Sequence, residues 1–244
     1  MNRFKAKISI LPPEQRRLWP GLRRTKDLGF VLYGGTAIAL RLGHRVSIDF
    51  DFFTERPLDK ALVHKSLAFM KDAEGLQEAP DTLVVSVVPQ GAKNPVKISF
   101  FGRIAFGRFG NPELTHDGVL QVASLDDLMA TKLKTILQRS SSKDYRDIAA
   151  MIAAGSQVSR GLAIAHQMFR PTFQPAESLR ALTYHKDLDA PPLSMKERTV
   201  LIDAAAAVRA LPAVERLSAR LAVDCDAGQD DDRAGPVRST RKKA

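Results

Sequence analysis

Residues 30–53 read FVLYGGTAIALRLGHRVSIDFDFF, and their order decides the fold: a short apolar strand, a paired glycine, an apolar helical stretch, and a second strand bearing Asp49 and Asp51. Side chains in a strand alternate between faces. The spacing therefore predicts Val46, Ile48, Phe50 and Phe52 on a core-facing side and Ser47, Asp49 and Asp51 on the other. At about 3.3 Å of rise per residue, the two aspartates stand roughly 6–7 Å apart at the backbone, so both can reach one Mg²⁺ or a metal pair. Asp is depleted in strands, and like charges on one face repel unless a cation lies between them. Mg²⁺ suits such a pair, since it takes one or two carboxylates and fills its other positions with water and phosphate oxygen.

The first strand, 30–33, runs into Gly34, Gly35 and Thr36. Two residues without Cβ permit unusual dihedrals and let a ligand approach the backbone, although a Gly-Gly pair alone is an ordinary turn. Thr36 is predicted to be the N-cap of a helix over 37–42, whose free N–H groups and positive dipole end would face a triphosphate.

The segment YGGTAIALRLGHRVSIDFDFF closely resembles the signature of the AbiEii/AbiGii-type nucleotidyltransferase toxins, a branch of the DNA polymerase β-like nucleotidyltransferase superfamily. The shared pattern is a Gly-Gly or Gly-Ser turn followed by Asp-x-Asp, matched by Gly34, Gly35, Asp49 and Asp51. Leu42–Arg45 and Ser47 also stand as that family has them.

Composition sets outer bounds. The chain has 244 residues, 44% of them apolar, enough for one sizeable domain or two small ones sharing a core. No apolar run approaches the roughly 20 residues needed to span a bilayer, and the first residues lack the apolar centre of a secretory signal, so no membrane association and a cytoplasmic location are expected. The single cysteine, Cys225, is compatible with a reducing compartment. Lys and Arg number 37 against 27 acidic residues, a formal charge of +10 spread along the chain. A field of that sign attracts polyanions and makes RNA a natural candidate.

The pattern along the chain predicts an α+β fold: a nucleotidyltransferase-like mixed sheet with flanking helices over 1–115, opened by a helical lead-in, then an α-helical part over 116–225 closing the cleft, and a disordered tail over 226–244. A helix is expected over 58–71 and strands over 82–88 and 96–101, with helices at 125–139, 143–153, 159–169, 176–185 and 194–209. On the helical wheel of 125–137, Lys132 falls inside the apolar stripe between Leu128, Met129 and Ile136, while Lys134 lies nearly opposite. An ammonium aimed at apolar surroundings is costly unless it finds an anion or its stem covers apolar surface while its head reaches water. Lys132 is therefore a candidate to project into the cleft and bind the triphosphate, a reading the resemblance supports.

The segment Ser142–Ile148 resembles the element that closes the family signature, making Asp144 and Asp147 candidates, although acidic residues also favour a helix's first turn. The candidate strand 96–101 offers only Ser99 where many relatives place a third carboxylate, so Asp144 or Asp147 would have to complete a two-metal site, or one metal suffices. His44 and Arg45 could contact phosphate or acceptor, or bond locally at their turn. The expected chemistry is nucleotidyl transfer. Asp49 and Asp51 bind Mg²⁺; Asp49, Asp51, Lys132 and Asp147 serve catalysis; Gly34, Gly35, Thr36, Ser47, Lys132 and Asp144 serve the NTP. The resemblance further implies an RNA acceptor, most plausibly the tRNA 3′ end, and an antitoxin partner. An enzyme modifying a small molecule or protein hydroxyl, and a catalytically silent RNA-binding member, are the alternatives.

Overall fold

Phe50 and Phe52 are fully buried; Phe50 stacks on Phe52, and Phe52 stacks on Phe100 of a neighbouring strand with ring centroids 5.4 Å apart, with Phe30 packed edge-on to Phe52 and Phe100. This aromatic layer holds the middle of the sheet. The computed structural model describes residues 1–224; Cys225 and the expected tail over 226–244 lie outside the described residues. The strands are β1 (Arg3–Phe4), β2 (Val31–Tyr33), β3 (Asp49–Phe53), β4 (Glu74–Ala79), β5 (Thr82–Val87), β6 (Val96–Phe101), β7 (Glu113–Thr115) and β8 (Gln121–Val122). They form one mixed eight-stranded sheet in the order β1-β7-β8-β2-β3-β6-β5-β4. Antiparallel β2 and parallel β6 flank β3, so the Asp-x-Asp strand is central and its register is fixed from both sides.

The helices are α1 (Pro13–Leu18), α2 (Arg24–Asp27), α3 (Gly34–Leu42), α4 (Lys60–Ser66), α5 (Leu125–Thr135), α6 (Ser142–Ala153), α7 (Val158–Met168), α8 (Pro175–Thr183) and α9 (Met195–Ala207). Helix α3 packs against α5 and α6, which brings the C-terminal helices over the Gly-Gly corner. Gly161 on α7 lets that helix lie close on α5, since a Cβ there would fall within 3.0 Å of Leu133 and overlap Met129. One apolar cluster runs from the β2–β3–β6 layer into α5–α9.

Three expectations need correction. Val46 and Ile48, placed on the core face by alternation, are 55% and 56% exposed. Ladder pairing begins only at Asp49, opposite Lys97, so the two preceding apolar residues have no neighbouring strand to cover them. Helix α3 starts at Gly34 with Tyr33 as N-cap and no side-chain cap, so Thr36 is not the N-cap. The expected helix over 58–71 is instead α4 followed by a 3₁₀ turn at Ala68–Asp72, with extended Leu67 between them.

Candidate active site

The corner between β2 and α3 is shaped by Gly34, whose φ of +74° lies in the left-handed region that glycine enters without steric cost. A Cβ there would stand 2.5 Å from Asp51 Oδ2, so the missing side chain leaves the space that the carboxylate fills. Gly35 has no room for a Cβ either, because the Arg45 guanidinium occupies that position and the Ser47 hydroxyl lies 3.1 Å from it. Thr36 is 1% exposed; its hydroxyl donates to the Asp49 carbonyl and shares a 2.9 Å hydrogen bond with the Ser47 hydroxyl. The buried polar pair Thr36–Ser47 thus fastens the first turn of α3 to the start of β3.

On β3, Asp51 faces Tyr33 across the antiparallel pair and Ser99 across the parallel one, while Asp49 faces Lys97. Burial, and next the charge of Asp49, raise the Asp51 carboxyl above its ordinary range, against a hydrogen bond from Ser99 and the charges of Lys97 and Lys132. A carboxylate pair disfavoured in its ionised form by its own mutual repulsion is relieved by a bound cation. Asp49 remains accessible, its side chain 40% exposed and its Oδ2 3.5 Å from Lys97 Nζ. Two oxygen-donor side chains on one face, with Asp49 accessible, fit Mg²⁺, whose other positions go to water and phosphate. Among the described residues, no group of three or more His, Cys, Asp or Glu side chains is gathered in a way that could hold a metal ion.

Behind this pair lies a buried ion cluster. Lys132 on α5 is 5% exposed, and its Nζ donates to Asp144 at 2.6 Å and lies 2.7 Å from Asp147 Oδ2. Arg139 grips Asp144 with Nε at 2.7 Å and Nη2 at 3.1 Å. Arg45 holds both oxygens of Asp147, Nε at 2.7 Å and Nη2 at 2.8 Å, and His44 Nε2 adds a 2.7 Å contact. Burial works against ionisation of Asp147, yet Lys132, His44 and Arg45 outweigh it and hold the carboxyl well below the usual range. Asp144 behaves alike, with Arg139 and Lys132 overcoming burial. Three fixed cations thus meet two carboxylates, and the charge of Lys132 is felt at Asp51.

A model of the nucleotidyl transferase AbiEii toxin family, a type IV toxin–antitoxin system, matches residues 21–217. The chain belongs to this family. An uncharacterized protein, aq_aa25, of Aquifex aeolicus (strain VF5) is 34% identical over 144 residues, 57% of this chain; the chain spans 65% of that relative's length. Two solved structures share the fold. JHP933 from Helicobacter pylori is 12% identical with a TM-score of 0.53, covering 83% of this chain and 94% of its own. MenT4, a nucleotidyltransferase toxin from Mycobacterium tuberculosis H37Rv, is 15% identical with a TM-score of 0.53, covering 78% and 82% respectively.

Within this AbiEii-family chain, Gly34, Gly35, Thr36, Ser47, Asp49 and Asp51 converge at the β2–α3–β3 corner. Lys132, Asp144 and Asp147 form the cluster beside it. Neither aspartate of α6 is free to complete a carboxylate triad, since each is occupied by side-chain cations. His44 and Arg45 hold Asp147 from the α3–β3 turn. Sequence reading missed Arg139 as a member of the cluster and Lys97 as the partner of Asp49. The legible signal for Lys97 is its place two residues before Ser99 on a strand in register with Asp-x-Asp.

Proposed function

We propose that the protein transfers a nucleoside monophosphate from an NTP to an RNA hydroxyl, most plausibly at a tRNA 3′ end, and that a cognate antitoxin restrains it. Asp49 and Asp51 hold Mg²⁺. The metal, when bound, neutralises the triphosphate and acidifies the acceptor hydroxyl. Gly34 and Gly35 leave room at the corner for the Asp51 carboxylate and the Arg45 guanidinium, and the start of α3, without a side-chain cap, offers N–H groups to phosphate oxygen. Lys132, fixed by Asp144 and Asp147, contributes positive charge beside Asp51 without swinging in solvent, the preorganised electrostatics that suit phosphoryl transfer. The acceptor oxygen bonds to the α-phosphorus as the bond to the bridging oxygen breaks; pyrophosphate leaves and the hydroxyl proton passes to water.

The observation that carries this reading is the Asp51 carboxylate seated in the space of the missing Gly34 side chain, with Asp49 two residues away on the same face. The formal charge of +10 supports a polyanionic acceptor. Incubation with each labelled NTP, Mg²⁺ and total RNA tests it. Label on RNA that disappears in the Asp51→Asn variant is expected; no label on any RNA would sink the proposal. The presence of Ser99 and not an acid beside Asp51 favours a second reading, RNA binding without transfer. That reading gains if an Asp49→Ala/Asp51→Ala variant keeps full toxicity and RNA binding.

A further inference from the structure

Beyond the carboxylate pair, the strand next to it carries a cation. The parallel register of β3 and β6 sets Lys97 against Asp49 and Ser99 against Asp51. Residues two apart on a strand share a face, so this pair looks onto the same surface as the carboxylates. Lys97 Nζ stands 3.5 Å from Asp49 Oδ2, and its charge also reaches Asp51. The side chains of Lys97 and Asp49 are 46% and 40% exposed. An ion pair so open adds little to stability, which leaves its placement beside the carboxylates, and not a packing role, to be explained.

Two divalent ions in a phosphoryl-transfer site sit about 3.5–4 Å apart, and their mutual repulsion has to be offset by negative groups. At this corner the metal-binding charge falls to Asp49 and Asp51, because Asp144 and Asp147 are already matched by Lys132, Arg139 and Arg45. A pair of carboxylates balances one divalent ion. The Lys97 ammonium adds a further single charge 3.5 Å from Asp49 Oδ2 and carries no ligand shell of its own to complete.

We propose that Lys97 is the second cation of this site: the chain binds one divalent ion between Asp49 and Asp51, and the Lys97 ammonium stands against Asp49 in place of another. The inference rests on the metal-binding reading of that pair. It assigns Lys97 to positioning and charge balance, with Lys97→Arg expected to substitute and a neutral residue not.

The test is a Mn²⁺ titration of the full chain, following the free-ion electron paramagnetic resonance signal. One Mn²⁺ per chain is expected, lost in Asp49→Asn/Asp51→Asn. Lys97→Met should tighten that binding by about fivefold or more, since a unit charge a few ångströms from a divalent ion is removed, and Lys97→Asp should take up a second Mn²⁺. Lys97→Arg should leave count and affinity as in the unaltered chain. In the transfer assay at saturating Mg·NTP, Lys97→Met should lose at least tenfold in rate and recover part of it as free Mg²⁺ rises, whereas Lys97→Arg should show no such dependence. Two Mn²⁺ per unaltered chain, both lost in the double Asn variant, would overturn the inference and leave the carboxylate site standing. So would an unchanged affinity in Lys97→Met. Binding in the double Asn variant equal to that of the unaltered chain would instead remove the metal site itself.

Discussion

Two pairs of aspartates lie side by side in this protein in opposite surroundings. Asp49 and Asp51 share one face of a strand; Asp49 is half open to solvent with one loose lysine, and Asp51 has a serine bond and its partner's repulsion. Asp144 and Asp147 share one face of α6, are fully buried, and are filled by Lys132, Arg139, Arg45 and His44. The first pair is held together against its own repulsion, and in the proposed function it takes a mobile cation. The second has spent its charge on fixed ones, and in doing so ties α5 and α6 to the α3–β3 turn. Acidic residues in a signature are therefore not interchangeable evidence for metal: what each carboxylate already holds decides.

The largest expected contrast is in activity. Asp51→Asn should lower nucleotidyl transfer by roughly a hundredfold or more, the scale of losing one electrostatic group at a reacting centre, while thermal denaturation shows a fold at least as stable as before. Equal loss of stability and activity would erase the difference between the pairs. Next comes stability: Lys132→Met removes the one cation shared by two buried carboxylates and should cost about 3–5 kcal/mol in denaturant unfolding, where Asp49→Asn should cost almost nothing.

The pH dependence should separate the pairs by sign. Asp147 is depressed in the fold, so its contribution is present above the ordinary aspartate value of about 3.9 and is lost as pH falls through the folded value. Asp51 is raised, so its contribution is complete below that ordinary value and is lost as pH rises through the folded one. Subtracting the stability curve of Asp147→Asn from that of the unaltered chain should give a difference that shrinks toward acid; the Asp51→Asn subtraction should shrink toward neutral. Curves bending the same way would contradict the assignment. A smaller effect than at Lys132 is expected at the rim: Arg139→Gln, at a side chain 63% exposed, should cost about 1–3 kcal/mol, since it leaves Asp144 Oδ2 without its cation while Lys132 still holds Oδ1.

Much of this was legible in residues 30–53 and 96–101, where alternating aromatic residues and a Gly-Gly corner specify a central strand and its neighbour; β6 occupies the expected 96–101. The C-terminal helices were readable from their apolar period, within a few residues at their ends. Strand β4, EGLQEA, was not, because it is an exposed edge strand of residues poor in β-propensity. Strands β1, β7 and β8 are two or three residues long, too short for an alternating pattern to show. The exposure of Val46 and Ile48 was hidden because alternation says which face a residue takes and nothing about whether a neighbour covers it. Lys132 stood out as an anomaly on its helix, but its partners could not be assigned from spacing. Arg45 and Asp147 are 102 positions apart and meet only because α3 packs on α6.

The most direct measurement is an anomalous difference map from crystals grown with Mn²⁺ and a non-hydrolysable NTP. A manganese peak between the carboxylates of Asp49 and Asp51, with the triphosphate over Gly34 and Gly35 and the Asp144–Lys132–Asp147 contacts unchanged, is the expected result. A peak at Asp144 or Asp147, or none at the Asp49–Asp51 pair with nucleotide bound, would contradict it.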